Sequence, residues 1–372
     1  MKPIILPRIR IITIIILSML SWMFCSLTGC TSPGSNMASA GRPDPCVTRS
    51  GFCFDTLISI TIYNSTNDRL NSINSNAGTE IPYNGASDEA LLDECFDMCS
   101  RYEGLLSMTV SGSDISKINA AAAQEAVPVS SDTIDFIEAA VHYYELSHGR
   151  LDISVAPLTQ QWTDARNNGT PPDDDTIASL LPHTGLDKLT YDRSRNIVTK
   201  SDTRLMLDPG ALGKGFVADR LRELLLSRGV TSAIISLGGN IVTIGSKPDG
   251  SDFRIGIKQP FSEHNDIAAS LRVKNRSVVT SGVYERCFLY EDRLYHHILD
   301  PADGRPADTD LYSATIISES SLDGDALSTI CLLIGSEDAE ALIENTPGIE
   351  AVFITKDNEL IYTEGAENYI EL

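Results

Sequence analysis

The segment Leu207-Asp208-Pro209-Gly210-Ala211-Leu212-Gly213-Lys214-Gly215 puts small residues, a carboxylate and one cation between a predicted strand and a predicted helix. Such a turn exposes backbone N–H groups at a helix N-terminus and suits an anion. Lys214 adds a point charge for phosphate. The same residues also read as a tight turn with a solvated lysine. Leu322-Asp323-Gly324-Asp325-Ala326-Leu327-Ser328-Thr329 opens a later predicted helix. Asp325 and Thr329 stand four apart, hence on one helical face. A carboxylate with a hydroxyl is a hard-oxygen pair suited to Mg²⁺, which takes few protein ligands and keeps waters or phosphates. The competing reading is an Asp in a first helical turn, where the dipole favours it anyway.

Tyr295-His296-His297-Ile298-Leu299-Asp300-Pro301-Ala302-Asp303-Gly304 sets two histidines on a strand before a turn. Neighbouring strand residues face opposite sides, so only one His points into a given site. That one serves as a base or a phosphate donor, or is a structural His over a turn. Ser236-Leu237-Gly238-Gly239-Asn240 is a second glycine turn, which permits positive φ and close backbone approach but is also the ordinary form of a hairpin. Val279-Thr280-Ser281-Gly282-Val283-Tyr284-Glu285-Arg286, a strand end and turn, and Asp152-Ile153-Ser154-Val155-Ala156-Pro157-Leu158 are further segments able to meet a ligand. No P-loop, HExxH or GxSxG pattern is present.

These loops need elements to hold them. Cys53 to Tyr63 alternates and is rich in Ile and Thr, which predicts the first strand. Residues 64–85 are polar and read as a loop. Apolar stripes predict helices over Ser87–Tyr102 and Ser131–Leu146. Short strands are expected near Leu189, Ile197 and Leu205, then a helix from Lys214 to Arg228 ended by Gly229. A strand-GlyGly-strand unit covers Ser232–Ile244, followed by strands at Phe253–Lys258, Ala268–Val273, Ser277–Thr280, Arg286–Tyr290 and Ser313–Ser318. Helices at Asp325–Gly335 and Ser336–Asn345 precede a hairpin over Ala351–Thr363. Hairpins dominate, so the expected class is α+β, with largely antiparallel sheets flanked by helices.

The N-terminus has a basic start (Lys2, Arg8, Arg10), an apolar stretch from Ile11 to Phe24 and Leu27-Thr28-Gly29-Cys30. That is the layout of a secretory signal, and its last four residues resemble a bacterial lipobox with Cys30 as the acylated residue. A plain signal anchor is the other reading. The domain plan is therefore 1–29 signal peptide, 30–49 lipidated Cys and flexible tether, and 50–372 catalytic domain. The expected location is the cell membrane, lipid-anchored and facing the extracytoplasmic side. The net charge of −22 repels nucleic acid, which is discounted as a partner. Export permits disulfides; Cys46–Cys53 is one option, and Cys95 with Cys99 lacks the further ligands of a zinc site.

Taken in order, these blocks resemble the ApbE family, the FAD:protein FMN transferases once described as thiamine-biosynthesis lipoproteins. The likeness runs from Phe54-Asp55-Thr56 and Gly112-Ser113-Asp114-Ile115-Ser116-Lys117-Ile118-Asn119, through Leu151–Leu158 and Leu207–Asp219. It continues through Gly238-Gly239-Asn240, Thr280-Ser281-Gly282, His297–Pro301 and Asp325–Thr329. The resemblance implies an ApbE-like fold and Mg²⁺ held by the Ala211 carbonyl with the side chains of Asp325 and Thr329. It implies FAD contacts at Phe54, Arg150, Leu151, Asp152, Asp208, Lys214 and Ile298, and a His near the pyrophosphate at His297. Asp55 stands where the family often has Gly, and Thr109 where an aromatic stacks on the flavin.

The implied reaction attaches FMN from FAD to a Thr or Ser hydroxyl of an acceptor and releases AMP, with His297, Asp325 and Lys214 as catalytic groups. The acceptor would be an exported or membrane electron-transfer flavoprotein. The alternatives are FAD hydrolysis to FMN and AMP, and a non-catalytic exported FAD-binding lipoprotein. The lipobox reading makes its own prediction. The chain should partition with membranes and carry acyl groups, and Cys30→Ala should abolish metabolic lipid labelling; undiminished labelling removes the anchor.

Overall fold

The structure, a computed structural model, describes residues 46–63, 87–264 and 266–371, within one compact unit from Asp44 to Leu372. The segment read as a signal peptide, Cys30, most of the stretch read as tether and the predicted polar loop over 64–85 lie outside the described residues. Within them, no helix is long and apolar enough to cross a membrane.

Eight strands form the main sheet, and their spatial order is their chain order. They are β1 (Val47–Cys53), β2 (Thr56–Ile62), β3 (Ala233–Leu237), β4 (Asn240–Ile244), β5 (Ser277–Gly282), β6 (Leu311–Ser318), β7 (Glu350–Thr355) and β8 (Leu360–Tyr362). Every neighbouring pair is antiparallel. The sheet is thus a long meander, and everything else is inserted into its connections. The β2–β3 link carries α1 (Asp88–Leu106), α2 (Asp114–Ala120), α3 (Ser131–Leu146), α4 (Ala156–Asn168), α5 (Asp174–Leu180) and α6 (Gly213–Ser227). The β6–β7 link carries α7 (Ser321–Ile334) and α8 (Ser336–Glu344).

Alternation explains how the sheet is covered. Ile58, Ile60 and Ile62 on β2 are fully buried, two residues apart on one face. They join Leu91, Cys95, Phe136, Phe216, Leu221 and Ile330 in the core under the helices. On the opposite face, Val278, Ile317, Val352 and Ile354 pack against the hairpin Phe253–Lys258/Ile267–Val273. A third cluster of Leu158, Trp162, Ile177 and Leu299 seats α4 and α5.

Several expectations change. The first predicted strand, Cys53–Tyr63, is β2 and starts only at Thr56, because Phe54 and Asp55 turn the chain at φ of 54° and 55°, and a further strand, β1, precedes that turn. Two successive positive φ values are the twist that a two-residue hairpin needs. β1 therefore begins at Val47, inside the stretch read as tether. It also separates Cys46 from Cys53 by a whole extended strand, about 23 Å at the usual rise per residue, too far for a disulfide. Among the described residues all six cysteines are free. Leu205 is not in a strand; the neighbouring Met206 makes only an isolated bridge to Val155. α2, α4 and α5 are helices that the periodicity does not predict. α2 and α5 have seven residues each, too few for a stripe to stand out, and α4 opens on Pro157. α7 starts at Ser321, four residues before the predicted Asp325, with Ser320 as its cap.

Candidate functional site

Antiparallel order brings the expected loops to one end of the sheet. The Phe54-Asp55 turn, the Gly238-Gly239 turn and the Ser281-Gly282 end of β5 all lie there, since Ile58 pairs with Leu237 and Val279 with Asn240. Gly238, at φ of 54°, lies so close to Thr56 that an added Cβ would fall 2.2 Å from its Oγ1. This glycine joins the two turns, and only a residue without Cβ fits. Phe54 N–H donates to Glu103 Oε1 of α1 at 2.8 Å, which fixes the hairpin tip against the helical layer.

The Gly-rich segment is held from behind. Asn119 spans the Leu207 peptide, accepting from its N–H at 2.7 Å and donating to its carbonyl at 3.0 Å. Lys200 is almost wholly buried and donates to the carbonyls of Asn119, Thr203 and Leu205. Asp208 N–H donates to the Ile153 carbonyl at 2.6 Å, joining the Leu151–Leu158 loop to the Asp208 turn. The Asp208 carboxylate caps that turn by accepting from Gly210 N–H at 2.9 Å.

The turn ends in α6, and α6 lies against α7 without side-chain thickness between them. A Cβ on Gly215 would sit 2.5 Å from the Ser321 carbonyl and 2.7 Å from Asp325 Cβ. Gly215 N–H, which at that position would close a helical turn onto the Ala211 carbonyl, instead donates to Asp325 Oδ2 at 2.8 Å. Asp325 is 2% exposed. Its Oδ1 has Lys214 Nζ at 3.6 Å, beyond hydrogen-bond reach, and Lys214 also donates to the Gly210 carbonyl at 3.3 Å. One turn on, Thr329 Oγ1 lies 3.4 Å from Ser281 Oγ, and Ser281 is 2.9 Å from Ser328 Oγ. Asp325 therefore stands in the second turn of α7, past the positions that the helix dipole favours most. The dipole reading of its position falls away.

Lys214 thus lies between the Gly210 carbonyl and Asp325, and Thr329 follows Asp325 one turn along α7. Arg150 pairs with Asp300 at 2.8 Å, drawing the Arg150–Asp152 and Ile298–Asp300 segments together. Leu151 and Ile298 are buried side chains. Asp152 accepts from Ser154 N–H at 2.7 Å, and burial raises its carboxyl above the ordinary range despite that bond. His296 is buried, whereas His297 follows the strand end and keeps part of its surface exposed. The Nδ1 atoms of both are buried without a partner. Burial, then the charges of Arg286, His296, Lys214 and Arg166, push His297 down to about 3, so its imidazole is neutral at physiological pH. Thr109 is exposed and bonded to Ser107, with no aromatic ring in its place.

Ser281, from a segment that the sequence singles out as able to meet a ligand, touches the Ser328–Thr329 turn. One residue of the site was given no role from sequence. Asp219 stands four residues after Gly215, so on the same face of α6, and accepts from Ser321 N–H at 2.7 Å, Leu322 N–H at 3.0 Å and Ser320 Oγ at 2.7 Å. Burial pushes the Asp219 carboxyl up, and those three donors pull it the other way. No short spacing marks Asp219, because its partners lie about 100 residues further along the chain.

The model of the ApbE family matches residues 54–353. A FAD:protein FMN transferase of Klebsiella pneumoniae (strain 342) is 35% identical over 274 residues, covering 74% of this chain and 85% of that protein. One from Treponema pallidum (strain Nichols) is 31% identical over 288 residues, covering 74% and 80%. Among solved structures, the ApbE protein of Thermotoga maritima superposes with a TM-score of 0.75 at 26% identity, covering 88% of this chain and all of that one. The apo flavinyl transferase ApbE of Pseudomonas stutzeri gives 0.73 at 25% identity, over 87% and 96%.

The capping geometry makes a stability prediction. Asp219→Ala removes the acceptor for two amides at the start of α7 and should cost about 2 kcal/mol. Denaturant unfolding of the full chain measures it; a loss under about 0.5 kcal/mol would leave Asp219 without this role.

Proposed function

The chain belongs to the ApbE family and is a flavin transferase acting on FAD; from that premise we propose that it works with Mg²⁺ held by the Ala211 carbonyl, Asp325 and Thr329. The observation that carries this is the Gly215–Asp325 hydrogen bond, which fixes one carboxylate oxygen and leaves Oδ1 facing the Asp208–Lys214 turn. The donors are all hard oxygens. Among the described residues no group of three or more His, Cys, Asp or Glu could hold a metal. That suits Mg²⁺, which takes few carboxylates and shares its shell with phosphate oxygens and water. Bound there, the ion would neutralise charge on the pyrophosphate.

The protein groups then have separable tasks. Lys214 and the amides of the Gly210–Gly215 turn present fixed positive potential to phosphate oxygens. Phe54, at the hairpin tip, and Arg150, Leu151, Asp152, Asp208 and Ile298 bind the flavin and adenine ends of FAD. The acceptor hydroxyl oxygen bonds to the FMN-side phosphorus, the bond to the AMP phosphate breaks, and AMP leaves with the electron pair. His297 takes the hydroxyl proton, for which it must be neutral. The acceptor residue is a Thr or Ser of an exported or membrane flavoprotein. Cys30 acylation would hold the enzyme on the extracytoplasmic face, close to such an acceptor.

Two experiments test this reading. As general base, His297 should leave kcat/KM without an acid limb near the ordinary histidine value of about 6.5. Activity should fall only as pH drops toward about 3, where the ring takes up its proton. His297→Ala should lower transfer by about 100-fold or more; an acid limb near 6.5 that vanishes in this variant would contradict the burial argument. For the metal, Asp325→Ala should abolish Mg²⁺-dependent FMN transfer, while Thr329→Ala should do less because water replaces a neutral hydroxyl. The measurement is acceptor flavinylation across a Mg²⁺ titration, with a melting curve for each variant. Near-normal transfer by Asp325→Ala at limiting Mg²⁺ sinks the assignment.

A further inference from the structure

Arg286 and Arg166 bring two charges toward His297 that the fold does not use. Arg286 precedes the strand Cys287–Tyr290, which pairs with Arg293–His296 so that Cys287 lies opposite His296. One more step of that register sets Arg286 across from His297. Arg166 is in the last turn of α4, one turn beyond Trp162. The Trp162 ring is stacked on Tyr295 of the same hairpin, with centroids 5.5 Å apart and planes 23° apart. Its Nε1 donates to the Gly304 carbonyl at 2.8 Å, so α4 is fixed against the hairpin. The arginines therefore reach His297 from two different elements.

Among the described residues, neither guanidinium makes an ion pair or a hydrogen bond. Acidic groups are plentiful in this chain, 51 against 29 basic ones. Other arginines of the same region are paired, Arg150 with Asp300 and Arg305 with Asp174. Near these unpaired charges, His297 Nδ1 is buried and has no partner. The His297 ring feels Arg286, Lys214 and Arg166 together. Cations left unpaired in an acidic protein, around a buried polar atom also lacking a partner, describe a place built for an external anion.

We propose that Arg166 and Arg286 form a subsite for the phosphate of AMP, the group that leaves when FMN is transferred. Breaking the pyrophosphate turns one shared oxygen into an additional charge on AMP. Guanidinium groups suit such an oxyanion because their planar fork donates two parallel hydrogen bonds. Bound to that phosphate, they hold charge that grows as the bond breaks. The subsite rests on the reading of this centre as the place where FAD is cleaved.

The test is calorimetric titration of the full chain, in Mg²⁺-free buffer, with AMP, adenosine and inorganic phosphate. Arg166→Gln and Arg286→Gln should each weaken AMP binding roughly tenfold, the size of one lost charged hydrogen bond. Adenosine should bind as before, and the Lys variants should recover part of the AMP affinity through charge alone. Weakened binding of inorganic phosphate in the same Gln variants would support recognition of the phosphate itself. Unchanged AMP affinity in both Gln variants, or equal losses for AMP and adenosine, would overturn the proposal. No acceptor or turnover is involved, so a failure of phosphoryl transfer and a failure of this subsite give different results.

Discussion

The structure depends on one close contact, the crossing of α6 over the start of α7. Gly215 lets the two backbones meet, its N–H holds the Asp325 carboxylate, and Asp219 one turn later caps the N-terminus of α7. Two carboxylates thus bind the helices in opposite senses, one from α7 to an α6 amide and one from α6 to α7 amides. The result fixes translation and rotation of α7 together. Because Asp325 and Thr329 are on one face of that helix, their positions relative to the Ala211 turn are set by the same bonds. The energetic cost of burying two carboxylates is offset by backbone donors that would otherwise be orphaned at helix N-termini.

Around this crossing, the meander supplies the rest. A sheet whose strand order follows the chain puts alternate connections at one end, and those connections carry Phe54, the Gly238-Gly239 turn and His297, whereas the Asp208–Lys214 turn and the Asp325–Thr329 pair come from the β2–β3 and β6–β7 links, which leave the sheet at its other end. Short turns at Phe54-Asp55 and Gly238-Gly239 stay close to the sheet, while the long excursion between β5 and β6 returns His297 to the same end. Phe54 has a positive φ, a conformation that an aromatic residue adopts only when its surroundings impose it. Its amide bond to Glu103 and the buried Ile row of β2 are those surroundings. Strain at a hairpin tip is tolerated because the strands on either side are fixed independently.

Sequence made much of this legible, and the reasons differ by element. Strands at Ser277–Thr280 and in the Ser232–Ile244 unit were readable from their apolar, β-branched runs and the Gly-Gly turn, and the hairpin-rich order pointed to α+β. The Asp325–Thr329 pair and the Lys214 turn were visible because their chemistry follows from short spacings. What was not visible depends on contacts across long separations. The turn before β2, and with it the strand β1, is a matter of two φ angles that Phe54 and Asp55 do not advertise. Asp219 reads as an ordinary exposed helix residue until α7 is placed against it. Arg166 and Arg286, about 120 residues apart in sequence, share no motif, and only the hairpin register and the Trp162–Tyr295 stack relate them.

The double use of Asp325 limits how its substitution can be interpreted. An alanine there removes the charge that faces the Ala211 turn and also the acceptor for Gly215 N–H, so it weakens the helix crossing and the centre together. An asparagine keeps an oxygen for Gly215 but carries no charge. If the crossing were all that mattered, the asparagine chain would retain most of its stability and its activity. If the charge carries the function, it would keep the melting behaviour and lose the metal response. The difference between the two substitutions separates what the carboxylate does for the fold from what it does for chemistry, because only one of its oxygens is committed to the backbone.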